Sequence, residues 1–285
     1  MSLTRFPRGE AALVASALVF SFTNLFVKLA GAGFSGLFIS GSRFAIGVLL
    51  ASVLIITRHI RLDRALLPTV VLRGLFGSLS MIASYIAIGL TGPGRATVLG
   101  NTYPVFVTIF GALFFGEKPT RRIAGSLALC VAGAVLVVRD GSGANLAGDA
   151  LALLSSILAG VAVNFVRRAS KAGVDPILLY LSPSLFGLPI LAFAAFPTSM
   201  PSFSPVFFLA SVAFGAFLAQ ILMARGYRNV GAGKGSVIFF LETGMTVLLG
   251  ALFAGEALTL RFGLGLLLIF GGLYFNRVPE APTMA

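Results

Sequence analysis

Tryptophan is absent from this 285-residue chain, cysteine and histidine occur once each, and charged residues make up only 11% of it. Each shortage excludes a class of chemistry. Cys130, alone in an apolar run, leaves no intrachain disulfide and no thiolate metal cluster. His59, alone among the arginines of a polar loop, leaves a Ser/His/Asp triad implausible. There is no G-x-x-x-x-G-K-[ST] phosphate loop and no H-E-x-x-H pair, so no cofactor, metal or direct use of ATP is implied. A soluble domain carries roughly a quarter charged residues, and no stretch here is polar and long enough to form one.

What is present is apolar: 58% of the residues are hydrophobic. They gather into ten segments, roughly 10–30, 36–57, 70–90, 95–115, 122–138, 148–167, 176–196, 204–224, 233–253 and 260–276. About 20 residues of helix cross a hydrocarbon core, and only helices and closed barrels satisfy the backbone there. The alternation of a barrel strand is missing. The expectation is an all-α membrane protein with ten transmembrane helices.

The first segment, with Arg5 and Arg8 ahead of it, has the look of a cleaved leader. A match later in the chain argues that it is a span. An offset of 140 pairs Ala12 with Ala152, Ser16 with Ser156, Asn24 with Asn164 and Lys28 with Arg168. At an offset of 139, Gly94–Val98 faces Gly233–Val237, and Gly111-Ala-Leu-Phe-Phe-Gly-Glu117 faces Gly250-Ala-Leu-Phe-Ala-Gly-Glu256. The chain therefore reads as two five-helix copies, residues 1–140 and 141–285, within one integrated transmembrane domain. Five is odd, so the copies enter the membrane from opposite sides, as inverted repeats.

The 21 Lys and Arg residues against nine acids give a net charge of +12. With the N-terminus inside, sixteen basic residues fall on cytoplasmic segments, Arg73 among them. Four fall outside: Lys28, Arg95, Arg139 and Arg261. Arg43 is left within a span. This asymmetry predicts cytoplasmic N- and C-termini. It also assigns the charge to the bilayer surface rather than to nucleic acid.

Glu242 stands out as the one acid read inside an apolar span. A carboxylate at bilayer depth costs about 2.5–3.5 kcal/mol on insertion scales, and nothing in folding requires it. Phe239, Glu242 and Thr246 share a helix face with Gly235. In the fourth segment, Thr97, Asn101, Pro104 and Thr108 do the same, and Tyr103 is the repeat counterpart of Glu242. The candidate substrate-binding set is Glu242, Tyr103, Asn101, Tyr85, Asn24, Phe239 and Arg43. Bland readings stand beside it. Asn24 and Asn164 can be interhelical glue, the tyrosines can be packing, and Arg43 can snorkel, pair with Glu242 or bind a carboxylate. Glu117 and Glu256 read as structural, placed just ahead of helices capped by Thr120 and Thr259. Segments five and ten carry small residues and almost no polar ones, which predicts scaffold or a dimer face. Pro104, Pro183 and Pro189 predict breaks in segments four and seven.

These motifs resemble the EamA branch of the drug/metabolite transporter superfamily over nearly the whole chain. The likeness rests on the duplicated ten-helix layout, Arg43 in the second helix, and the Thr97…Pro104…Gly-Glu117 pattern with its second copy ending at Glu256. Many amino-acid exporters of this branch read Leu-Glu-Pro in the ninth helix, where this chain has Leu241-Glu242-Thr243. YddG-type aromatic amino-acid exporters are a resemblance within the branch. The resemblance implies a central cavity bounded by helices 1–4 and 6–9. The expected function is a secondary transporter of the inner (plasma) membrane that exports amino acids or similar small metabolites by alternating access, with Glu242 binding a proton or the substrate amino group. Other readings are an uncoupled facilitator of the same fold, and a membrane enzyme or scaffold, which the lack of paired catalytic groups disfavours. A nucleotide-sugar carrier would need a basic cluster within the spans, and none is evident in the sequence.

Overall fold

The computed structural model describes residues 8–115, 121–139, 145–194, 202–230 and 238–275. Among these, all regular structure is helical. The helices are α1 (Arg8–Ala30), α2 (Gly36–Arg58), α3 (Leu67–Thr91), α4 (Pro93–Gly100), α5 (Tyr103–Phe115), α6 (Arg121–Val138), α7 (Leu146–Lys171), α8 (Pro176–Gly187), α9 (Phe203–Asn229), α10 (Phe240–Phe253) and α11 (Leu260–Phe275). Two 3-10 segments, Arg64–Leu66 and Leu188–Phe193, lead into α3 and continue α8. Among the described residues, seven helical stretches are long and apolar enough to cross a membrane. The α4–α5 pair counts as one of them, and α6, α10 and α11 contribute shorter apolar helices.

Local chemistry sets the boundaries. Ser35, Asn145 and Asp175 accept the backbone N–H of Phe38, Gly148 and Ile177 at the starts of α2, α7 and α8. Thr259 accepts from Phe262 N at 3.2 Å, the cap expected for the last helix. Thr120 and Glu117 lie outside the described residues. Of the expected proline breaks, the one beside Pro104 is present: the chain turns at Asn101–Thr102 and restarts as α5, with Pro104 in its first turn. Pro183 lies inside α8 without ending it, and Pro189 falls in the 3-10 continuation.

The outside of the bundle is apolar. Leu49, Ile56, Leu113, Leu252 and Leu267 are each more than 60% exposed. Buried positions include Ser16, Ser80, Ser156, Arg43, Arg73 and Asp149. This inverts the burial pattern of a soluble domain and matches a chain whose surface meets lipid.

The packing repeats itself. Equivalent segments of the two copies are α1 with α7, and α3 with α9. The most extensive contacts are α1 on α9 and α3 on α7, which exchange when the copies are exchanged. α6 packs on α11, its own equivalent. Cys130 Sγ on α6 lies 3.6 Å from the carbonyl of Ile269 on α11, and these two residues are 139 apart, so each touches its own repeat partner. Close approach there depends on glycine. A Cβ at Gly133 would sit 2.5 Å from Gly265 O, and one at Gly265 would sit 2.8 Å from Gly133 O.

Overpacking this crossing should cost about 1–3 kcal/mol. Gly133→Ala is expected to lower the thermal midpoint of the purified protein, whereas Gly89→Ala, with open space around it, should hold or raise it. Equal midpoints for both variants would refute the close-packing account.

Candidate functional site

A cavity of about 170 Å³ lies within the bundle, lined from α1, α2, α3, α4, α7, α9 and α10 together with Tyr103 and Phe239. All seven residues singled out in the sequence line it: Asn24, Arg43, Tyr85, Asn101, Tyr103, Phe239 and Glu242. Among the described residues, α6 and α11 contribute nothing to it. Nor does α8, where the seventh segment was expected to line the cavity: Ser182 and Ser184 hydrogen-bond to carbonyls of their own helix, and Tyr180 packs edge-on against Phe217.

The break between α4 and α5 aims this wall. Asn101 donates to Thr243 Oγ1 of α10. Thr102 Oγ1 lies 2.7 Å from Ser156 Oγ of α7. The threonine found after Glu242 thus accepts the side chain that ends α4. Next to it, Glu242 Oε1 accepts from Asn24 Nδ2 at 3.2 Å, and the same Asn24 nitrogen lies 3.3 Å from Thr97 Oγ1. The Asn24–Glu242 bond joins the first helix of one copy to the fourth segment of the other. The repeat partner of Asn24 behaves differently. Asn164 donates to the carbonyls of Val107 and Gly160, both at 3.0 Å, and ties α7 to α5. Tyr227 stacks on Phe239, 6.1 Å between ring centroids.

Arg43 neither snorkels nor pairs with Glu242. It is 3% exposed and its guanidinium lies 5.3 Å from the Tyr85 ring centre. Three expectations about charged residues require correction. Arg73, read as a cytoplasmic loop residue, lies inside α3 at 3% exposure, lines the cavity and donates to Gln220 Oε1 at 3.3 Å. With Arg43 it makes the basic pair within the spans that the sequence did not show. Arg95, counted among the outer-side charges, is buried in α4 in an ion pair with Asp149: Nε to Oδ1 is 2.8 Å and Nη2 to Oδ2 is 2.7 Å. Glu242 is therefore not the one acid inside the helices, because Asp149 sits 2% exposed in the first turn of α7. What hid these residues is proximity to segment ends, where an ionic side chain reads as solvated. The available signal was the pairing of Arg95 and Asp149 at equal depth.

The fourth correction concerns Glu256. Its carboxylate does not lie ahead of α11. Both oxygens accept the backbone N–H of Gly94, at 3.0 and 2.8 Å, and so cap α4. Gly92 at φ +92 turns the chain there. A Cβ at Gly92, Gly94 or Gly250 would collide with the carboxylate. Burial raises the Glu256 carboxyl above its ordinary value, and the N–H groups of Gly94 and Arg95, with the Lys28 charge, lower it.

The EamA-like transporter family matches this chain twice, over residues 7–139 and 146–278. The pseudopaline exporter CntI of Pseudomonas aeruginosa is 26% identical over all of this chain and 94% of its own length. An uncharacterized transporter of Archaeoglobus fulgidus is 28% identical over 83% of this chain and 86% of its own. Mouse solute carrier family 35 member G1 is 31% identical over 66% of this chain and 55% of its own length. A solved crystal structure at 20% identity shares the fold, with a TM-score of 0.65 over 94% of both chains.

Breaking the buried Arg95–Asp149 pair from one side should cost about 3–5 kcal/mol, while replacing both with apolar residues should cost far less. Thermal unfolding is expected to show a large loss for Asp149→Asn and recovery in Arg95→Met/Asp149→Leu. A double variant as unstable as the single one would contradict this.

Proposed function

The chain belongs to the EamA-like transporter family, and on that premise we propose that it is a secondary transporter that exports amino acids or similar small metabolites across the inner (plasma) membrane by alternating access. In this reading ten spans form two inverted five-helix copies, residues 1–140 and 141–285, with both termini cytoplasmic. The inverted arrangement draws support from the exchange-symmetric packing of α1 on α9 and α3 on α7. The cytoplasmic termini draw support from the basic residues, an argument that survives moving Arg73 and Arg95 to the interior.

One observation carries the transport site: among the described residues the cavity's single carboxylate, Glu242, is held by a neutral amide and meets no cation. The structural acids of this protein have positive partners, Asp149 in Arg95 and Glu256 in the start of α4. An acid left with Asn24 is available to a proton or to a substrate ammonium group. The groups that share its cavity are Arg43, Arg73, Tyr85 and Tyr103. Asn24 and Asn101 orient Glu242 and its neighbour Thr243. Tyr85, Tyr103 and Phe239 supply the aromatic walls that an amino acid or similar metabolite would contact. The exporter and solute-carrier relatives agree with this direction of reading.

A counterflow screen of amino acids in proteoliposomes tests it. Glu242→Gln removes the charge but keeps the hydrogen-bonding shape, and losing a charged hydrogen bond costs about 1.5–3 kcal/mol. The initial rate is expected to fall about tenfold or more, and its response to an imposed pH gradient to vanish. Wild-type rates for Glu242→Gln at every pH would remove Glu242 from the mechanism. A wild-type rate indifferent to the pH gradient would make the protein an uncoupled facilitator.

A further inference from the structure

Two guanidinium groups, Arg43 from α2 and Arg73 from α3, face the cavity, and each is 3% exposed. Neither meets a carboxylate, since the ion pair present among the described residues is Arg95–Asp149. Their partners are neutral. Gln220 holds one Nη of Arg73, and the rings of Tyr85 and Phe44 lie beside Arg43, with centroids at 5.3 and 5.7 Å. The Nε of both arginines is buried without an acceptor. Room for this arrangement is built into α3: one turn beyond Arg73, a Cβ on Gly77 would collide with its Nη1.

Such a pair is costly. A buried charge without a counter-ion is strongly unfavourable, and two like charges in one cavity repel. A bound anion relieves both terms at once. The guanidinium fork matches the two oxygens of a carboxylate. With Glu242 ionised, the charged groups lining the cavity among the described residues are two positive and one negative. A neutral zwitterion leaves that sum uncompensated, while a solute with two carboxylates and one ammonium brings it to zero. A cavity of about 170 Å³ is smaller than drug-sized pockets of about 300–1,000 Å³, and so suits a single small metabolite.

We propose that Arg43 and Arg73 form an anion subsite opposite Glu242, and that the transported solute is an amino acid or related metabolite bearing a second acid group. This rests on the cavity being the transport site. The second carboxylate lies on the arginine pair and the ammonium group lies on Glu242.

The test pairs L-glutamate with L-glutamine, which match in size and differ in charge. Counterflow by the wild-type protein in proteoliposomes needs no variant, and glutamate is expected to exceed glutamine by about tenfold, the ratio of roughly 1.4 kcal/mol. Arg73→Gln should remove most of that preference by lowering glutamate counterflow far more than glutamine counterflow, and Arg73→Lys should restore part of it. Glutamine or phenylalanine carried as well as glutamate, or an equal loss of both solutes in Arg73→Gln, overturns the anion subsite while leaving transport intact. Counterflow of O-phosphoserine in place of glutamate, sensitive to Arg73→Gln, overturns the second carboxylate in favour of a phosphate. No counterflow by folded protein of any amino acid in the panel overturns both this inference and the transport reading beneath it.

Discussion

An ionic group taken out of water has to recover its hydration from something else, and in a chain with an apolar exterior the protein itself must supply it. Asp149 shows the complete solution. It receives two nitrogens of Arg95 and the hydroxyl of Thr91 at 3.2 Å, and it stands at the positive end of α7. Glu256 shows another, in which the start of α4 serves as the counter-charge. Arg43 is met by aromatic side chains, and Arg73 and Glu242 by amides, all of them neutral. The contrast within one molecule separates charges that hold the fold from charges that leave capacity for something not built into it.

The break in the fourth segment follows from the same accounting. Ending α4 at Gly100 and restarting at Tyr103 frees backbone groups that lipid could not satisfy. The break is tolerated because Asn101 and Thr102 reach α10 and α7 at that level, and because it faces a cavity rather than the bilayer. The far end of α4 is fixed by Glu256 from the loop between α10 and α11. Both ends of this short helix are thus fastened to the second copy, and its lining residues inherit their position from it.

The duplication and the cavity set were legible because each leaves a pattern that sequence preserves. Repeats show as paired residues at a constant offset, and an acid such as Glu242 in an apolar run is conspicuous by itself. Arg73 was not legible. It falls six residues after the first residue of α3 and near the arginines of a loop, so composition gave no reason to place it inside. The role of Glu256 was hidden by distance, since its partner Gly94 is 162 residues away. Local spacing suggested the helix just after it, and the tertiary fold offered a nearer unpaired N–H. Asn24 and Asn164 were legible as a pair but not as different. Their divergence depends on what each helix packs against.

The contact of Cys130 with Ile269 has a geometric consequence. A residue that touches its own repeat equivalent lies beside the line about which one copy is turned into the other. Points on such a line are the ones that an interchange of the two copies leaves in place. The α6–α11 crossing, with Gly133 and Gly265 seated against each other's backbone, therefore marks where that line passes. The cavity lining, drawn among the described residues from helices other than these two, lies off that crossing, so the copies are joined at one place and leave their shared space at another.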